Sequence, residues 1–83
     1  MKLELYQEVA LNCDLPEYKL KAGDIAILVD FVSHPNGGEQ GCVLEVFNAV
    51  GDSLTVIAVP ISTVEVLRPD EILTVRSLAA KAG

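Results

Sequence analysis

The chain has 83 residues, of which 6 are Lys or Arg and 12 are Asp or Glu, giving a formal net charge of −6. This length is typical of one small domain. The basic residues are scattered along the sequence and do not form the Lys/Arg patch with which proteins bind phosphate backbones and anionic membranes. Apolar runs stay well short of the roughly 20 residues of a membrane span. Acidic and amide side chains interrupt the N-terminal stretch where a signal peptide has its apolar core. We therefore expect a cytoplasmic protein that binds neither nucleic acid nor a membrane.

Five short apolar runs, separated by turn signals, follow one another along the chain: residues 9–13, 25–32, 42–47, 53–59 and 64–67. Val, Ile and Phe dominate these runs, which is typical of β-strands. The strongest turn signal is His34-Pro35-Asn36-Gly37-Gly38, in which Asn-Gly favours a tight hairpin. The pattern predicts one all-β domain over residues 1–69, a small barrel or sandwich of about five antiparallel strands.

The third and fourth runs allow a prediction of strand register. If Ala49-Val50-Gly51 is a three-residue loop with Gly51 in the left-handed conformation, Leu44 faces Val56 and the pair points inward. The outer face then carries Glu45 and Thr55, which a one-residue slip would bury. It also carries four apolar side chains: Val43, Phe47, Ile57 and Val59.

We take these four outward residues as a candidate protein interface. Hydrophobic residues make up 51% of the chain, which is a large share for a domain this small. Phe47 is the natural anchor, because buried aromatic side chains dominate interface energetics. The alternative is that the C-terminal tail, residues 70–83, covers this face. The tail is predicted to form either a short strand from 72 to 75 or a short helix with Asp70 as its N-cap, packed on the domain or on a partner.

The sequence offers no pattern typical of catalysis or of metal or cofactor binding. His34 is the only histidine, and Cys13 and Cys42 have no second ligand at a spacing that a metal site uses. We expect no catalytic residue, no metal and no cofactor, and we interpret both cysteines as reduced thiols. A thiol-dependent activity at Cys13 or Cys42 is the enzyme hypothesis that remains.

Several short motifs in order resemble a known family. They are Leu5-Tyr6-Gln7-Glu8-Val9-Ala10-Leu11, Asp14-Leu15-Pro16-Glu17, Leu20-Lys21-Ala22-Gly23-Asp24, Leu44-Glu45-Val46-Phe47-Asn48 and Leu67-Arg68-Pro69. Together they resemble domain of unknown function 4926, a family of small bacterial proteins that are often cyanobacterial. Lys19 and Ala26 depart from its pattern, because glycines are usual there, and Val59 stands where leucine is usual. The resemblance implies an SH3-like barrel, similar to the KOW domains of ribosome- and polymerase-associated proteins.

Beside the thiol-dependent activity, these observations give three non-enzymatic hypotheses. The first is a non-enzymatic protein-interaction module that self-associates as a homo-oligomer. The second is an acidic antitoxin or immunity-like protein that neutralises a basic partner, since some relatives in the resembled family are encoded beside small toxin-like proteins. The third is a KOW-like nucleic-acid-associated barrel, which the net charge of −6 disfavours.

Overall fold

A computed structural model describes residues 2–33 and 37–78. Five β-strands follow one another along the chain: β1 Glu8–Leu11, β2 Ile25–Val32, β3 Gly41–Phe47, β4 Ser53–Pro60 and β5 Val64–Val66. Each strand lies where an apolar run predicts it, so the all-β prediction is confirmed. Short 3₁₀ turns at Pro16–Tyr18 and Ile61–Thr63 complete the regular structure of the described residues.

All strand pairs are antiparallel and form one open sheet in the order β4-β3-β2-β1-β5. A flat sheet of this order would hold its two edge strands about 19 Å apart, four spacings of about 4.8 Å. Yet Ile57 and Val59 of β4 share one core cluster with Val64 of β5. The sheet therefore curls around a single core. The strand order and the shared core give a small barrel-like fold.

The core lies on the inner face of the curled sheet, and strand alternation decides which residues enter it. Val9, Leu28, Cys42 and Leu44 are fully buried. Inward and outward side chains alternate along β3, where Val46 is also buried and Glu45 lies on the outer face. Among the described residues no polar or charged side chain is buried. The core is thus held together by apolar packing alone, in line with the high hydrophobic content.

The β3–β4 hairpin confirms the predicted loop. Gly51 has a left-handed φ of +91°, and its N–H donates to the Asn48 carbonyl at 3.1 Å. The Asn48 side-chain oxygen accepts from the N–H groups of Val50 and Asp52 at 3.0 and 2.9 Å. This short amide therefore fixes the turn from within, as Asn does in many loops.

The predicted register of β4 is wrong beyond its first pair. Phe47 faces Ser53 as expected, but a β-bulge follows and Val46 faces Thr55, which leaves Leu54 as the extra residue. A single extra residue turns every later side chain to the other face. Ile57 and Val59 are consequently buried in the core, where they are 4% and 6% exposed. Leu54, Val56 and Ala58 point outward.

The C-terminal tail differs from both predicted forms. Its described part, residues 70–78, contains neither a strand nor a helix. The chain turns at Pro69-Asp70, where the Glu71 N–H donates to the Arg68 carbonyl at 3.0 Å, and then runs on in irregular form. The predicted hairpin tip at His34, Pro35 and Asn36 lies outside the described residues, as do residues 79–83.

Candidate interaction surface

The structure divides the four predicted interface residues into two pairs. Phe47 lies on the outer face and is 39% exposed, and Val43 on the same face is half-buried. Ile57 and Val59 are core residues, so the expectation that they face outward is wrong. The outward apolar positions of β4 are Leu54 and Val56, which are 44% and 56% exposed. The register predicted from the sequence places these two side chains inside the core. It contains no bulge, because no residue type at Leu54 indicates one.

A shallow groove of about 640 Å³ lies between the tail and the sheet. It is lined by outward residues of β2, by the β3–β4 hairpin and by the tail, including the apolar side chains of Ile25, Ile27, Phe47, Leu54, Leu73 and Leu78. Ile25 and Ile27 are half-buried. The described part of the tail thus runs beside part of the outer face. The groove does not reach Val56, which remains uncovered.

An ion pair fixes the tail to the body of the domain. The Nε of Arg76 donates to Oδ1 of Asp24 at 2.8 Å, and one terminal nitrogen donates to Oδ2 of the same carboxylate. A further N–H of Arg76 reaches the Lys19 carbonyl at 3.2 Å. The hydrogen bond from Arg76 holds the pKa of Asp24 below its ordinary value. No sequence signal links Asp24 and Arg76, which lie 52 positions apart.

Although pinned, the tail leaves its own apolar side chains in solvent. Ile72 and Val75 are 87% and 92% exposed, and Leu73 and Leu78 are about half exposed. Apolar side chains of the tail and of the hairpin therefore flank the same groove. Exposed apolar side chains that line one groove are more typical of an interaction site than apolar residues scattered over the surface are.

The two edges of the sheet differ in length and in charge. β5 has three residues, one of which is Glu65, and its only described strand neighbour is β1. β4 has eight residues, Ser-Leu-Thr-Val-Ile-Ala-Val-Pro, with no charged side chain. Natural sheets shield their edges by short length, charge, proline or bulges. β5 is shielded by its short length and by Glu65. The segment of β4 between the bulge and Pro60 has neither kind of shielding.

The thiols and acids give no arrangement typical of catalysis in the described part of the chain. Both cysteines are unpaired; Cys42 is buried, and burial raises the pKa of its thiol. A raised pKa reduces the thiolate that nucleophilic chemistry needs. No group of three or more described His, Cys, Asp or Glu residues is placed to hold a metal ion. No helix among the described residues has the length and apolar character to cross a bilayer.

All twelve acidic side chains lie at least partly in solvent, since none of the described polar residues is buried. Both arginines are engaged with carboxylates: Arg76 with Asp24, and Arg68 with Asp70 and Glu71 at 3.3 and 3.6 Å. The surface is therefore predominantly acidic, and its two guanidinium groups are partly neutralised by neighbours.

No family model, curated protein or solved structure matches this chain. The resemblance to domain of unknown function 4926 therefore stays a prediction. The features that bear on function are the outward face of the hairpin, the groove beside the tail and the uncharged edge of β4.

Proposed function

We propose that this protein is a non-enzymatic interaction module of the cytoplasm that self-associates through the outward apolar side chains of its β3–β4 hairpin. The observation that carries the proposal is the exposure of Phe47, Leu54 and Val56 on one hairpin of an 83-residue chain. Burying apolar area yields about 25 cal/mol per Å², so covering these side chains favours association. The two unpaired cysteines suit a reducing compartment.

The distribution of charge over the chain favours this surface as the place where two copies meet. Two copies that each carry −6 repel one another wherever their acidic surfaces approach. The outward side of β4 has no charged residue, so two copies meet there at the smallest electrostatic cost. Because salt screens the remaining repulsion, self-association is expected to strengthen as ionic strength rises.

Sedimentation velocity over a concentration series tests this proposal. We expect a mass above that of the monomer, and we expect Val56→Asp to weaken association by about tenfold or more, because a charge would have to be buried. Val50→Asp is the matched control: it adds the same charge to the same hairpin, at a side chain that is 81% exposed and does not line the groove. Equal effects of the two variants would count against the hairpin face.

The exposed acids favour a second candidate, an antitoxin-like protein that neutralises a basic partner. Charge complementarity raises association rates and makes them fall with salt. The two functions therefore respond to salt in opposite directions. The test is to measure the association rate with the purified product of an adjacent gene at several salt concentrations. A basic product whose association rate falls as salt rises supports the second candidate. A rate independent of salt decides against it.

A further inference from the structure

Within residues 2–33 and 37–78, the β4 strand has one side of its backbone without a strand partner. It is the last strand of the described sheet and pairs there only with β3. Just past the strand, the Ile61 N–H donates to the Gln40 carbonyl at 2.9 Å, so Ile61 faces β3. Backbone groups of successive residues point to opposite sides of an antiparallel strand. Ile57 and Val59 therefore direct their N–H and C=O groups to β3, while Val56 and Ala58 direct theirs to the free edge.

This free edge is bounded but not blocked. Leu54, the bulge residue, lies on one side of the unpaired backbone groups, and Pro60, which has no N–H, lies on the other. Between them the strand is regular, and its side chains are uncharged. An exposed, regular and uncharged edge is a template for another strand. The groove beside the tail does not include Val56 or Ala58, and both side chains are exposed, so the described part of the tail leaves this stretch open.

We propose that two copies of this chain pair antiparallel through their β4 edges, so that their sheets join into one. This inference rests on the proposed self-association and identifies the surface that mediates it. With the two-fold axis at Ile57, Val56 of each copy lies opposite Ala58 of the other. These two pairs exchange about four backbone hydrogen bonds. The bulge and the proline lie just outside this ladder on both sides.

The side chains on this edge suit a second copy of the same chain. On the outer face, the valine of one copy meets the smaller alanine of the other, and each Leu54 lies near the partner's Pro60. A two-fold interface requires such a self-complementary surface. The nearest charge on β3 is Glu45, opposite Val56. Across the joined strands, the two copies of Glu45 are at least three strand spacings apart, about 14 Å, beyond the Debye length of about 8 Å at physiological salt.

A proline placed at Val56 tests the backbone contact. Val56→Pro removes an N–H that β3 does not use, and proline is tolerated at such edge positions. We expect the monomer to keep its far-ultraviolet circular dichroism and the dimer dissociation constant to rise by about tenfold or more, because each copy loses one donated hydrogen bond and the ring obstructs the partner strand. Val56→Thr is the control: it keeps the N–H and the β-branch, and association is expected to persist.

Amide hydrogen exchange of the unaltered protein gives a second test that needs no variant. In the monomer, we expect the amides of Val56 and Ala58 to exchange fast and those of Ile57 and Val59 to be protected by hydrogen bonds to β3. Raising the protein concentration is expected to slow exchange at Val56 and Ala58. Self-association with no slowing there would overturn the edge contact and leave the proposed function standing. A chain that stays monomeric at every concentration and salt would overturn both.

Discussion

The bulge-shifted register of β4 makes a direct prediction about two chemically identical substitutions. Val59 is 6% exposed and Val56 is 56% exposed, although the register inferred from sequence assigns them the opposite faces. Val→Ala removes about two methylene equivalents, worth about 0.8 kcal/mol each, and a cavity adds to this at a buried site. We therefore expect Val59→Ala to cost about 2 to 3 kcal/mol. At Val56 solvent refills the space, and the expected cost is below about 1 kcal/mol.

Urea denaturation of both variants measures this difference. A gap of about 1.5 kcal/mol corresponds to about 6–12 °C in Tm for a domain of this length, so thermal unfolding provides an independent check. Because Val56 also lies at the proposed dimer edge, each variant is measured at two protein concentrations, and the part of the free energy that does not depend on concentration is compared. If Val56→Ala cost more than Val59→Ala, the bulge at Leu54 and the register that it sets would be wrong.

Three further predictions concern the turn, the tail and the buried thiol. Gly51→Ala is expected to destabilise by about 1 kcal/mol or more in urea denaturation, because φ is +91° there. Asp24→Asn is expected to speed protease cleavage in the tail and to flatten the acid limb of the stability–pH curve. The reason is that Arg76 lowers the folded-state pKa of Asp24, so its contribution is full above the ordinary value of 3.8 and is lost as the pH falls through the folded-state pKa. In a Cys13→Ser background, Cys42 is expected to react with a thiol reagent only after denaturation, and rapid native labelling would contradict its burial.

The sequence predicts the strands and the loop of this protein well because those features depend on local physics. The apolar runs give the five strands, and Asn48 with Gly51 determines a loop whose hydrogen bonds lie within five residues. The outward placement of Glu45 is also correct, since burial of a carboxylate without a partner is costly. The inward set of β3 follows from that single residue.

The register of β4 could not be predicted because its two faces are almost equally apolar. One face carries Leu54, Val56 and Ala58, and the other carries Thr55, Ile57 and Val59. The alternation of polar and apolar residues therefore does not indicate which face of β4 is buried. The extra residue at Leu54 determines that face. This shift moves two of the four candidate interface residues, Ile57 and Val59, into the core. The outward placement of Phe47 and Val43 is predicted correctly because both lie on β3, whose register Glu45 determines.

The course of the tail depends on contacts that are distant in sequence. Residues 72–75 have the composition of a strand, but a strand needs a neighbouring edge, and the described tail instead runs beside the groove on the outer face. Arg76 is fixed there by Asp24, which precedes it by 52 positions. Neither a local propensity nor a motif reports such a pair, so only the folded chain reveals it.

Self-association through the β4 edge is the central claim, and mass in solution tests it most directly. Sedimentation equilibrium is measured from about 1 µM to about 1 mM protein, a range that covers weak to moderate affinities, at low and at high salt. We expect a dimer of twice the chain mass of 8.9 kDa, with a population that rises with concentration and with salt and that Val56→Pro lowers. A species of 8.9 kDa at every concentration and salt would contradict the claim.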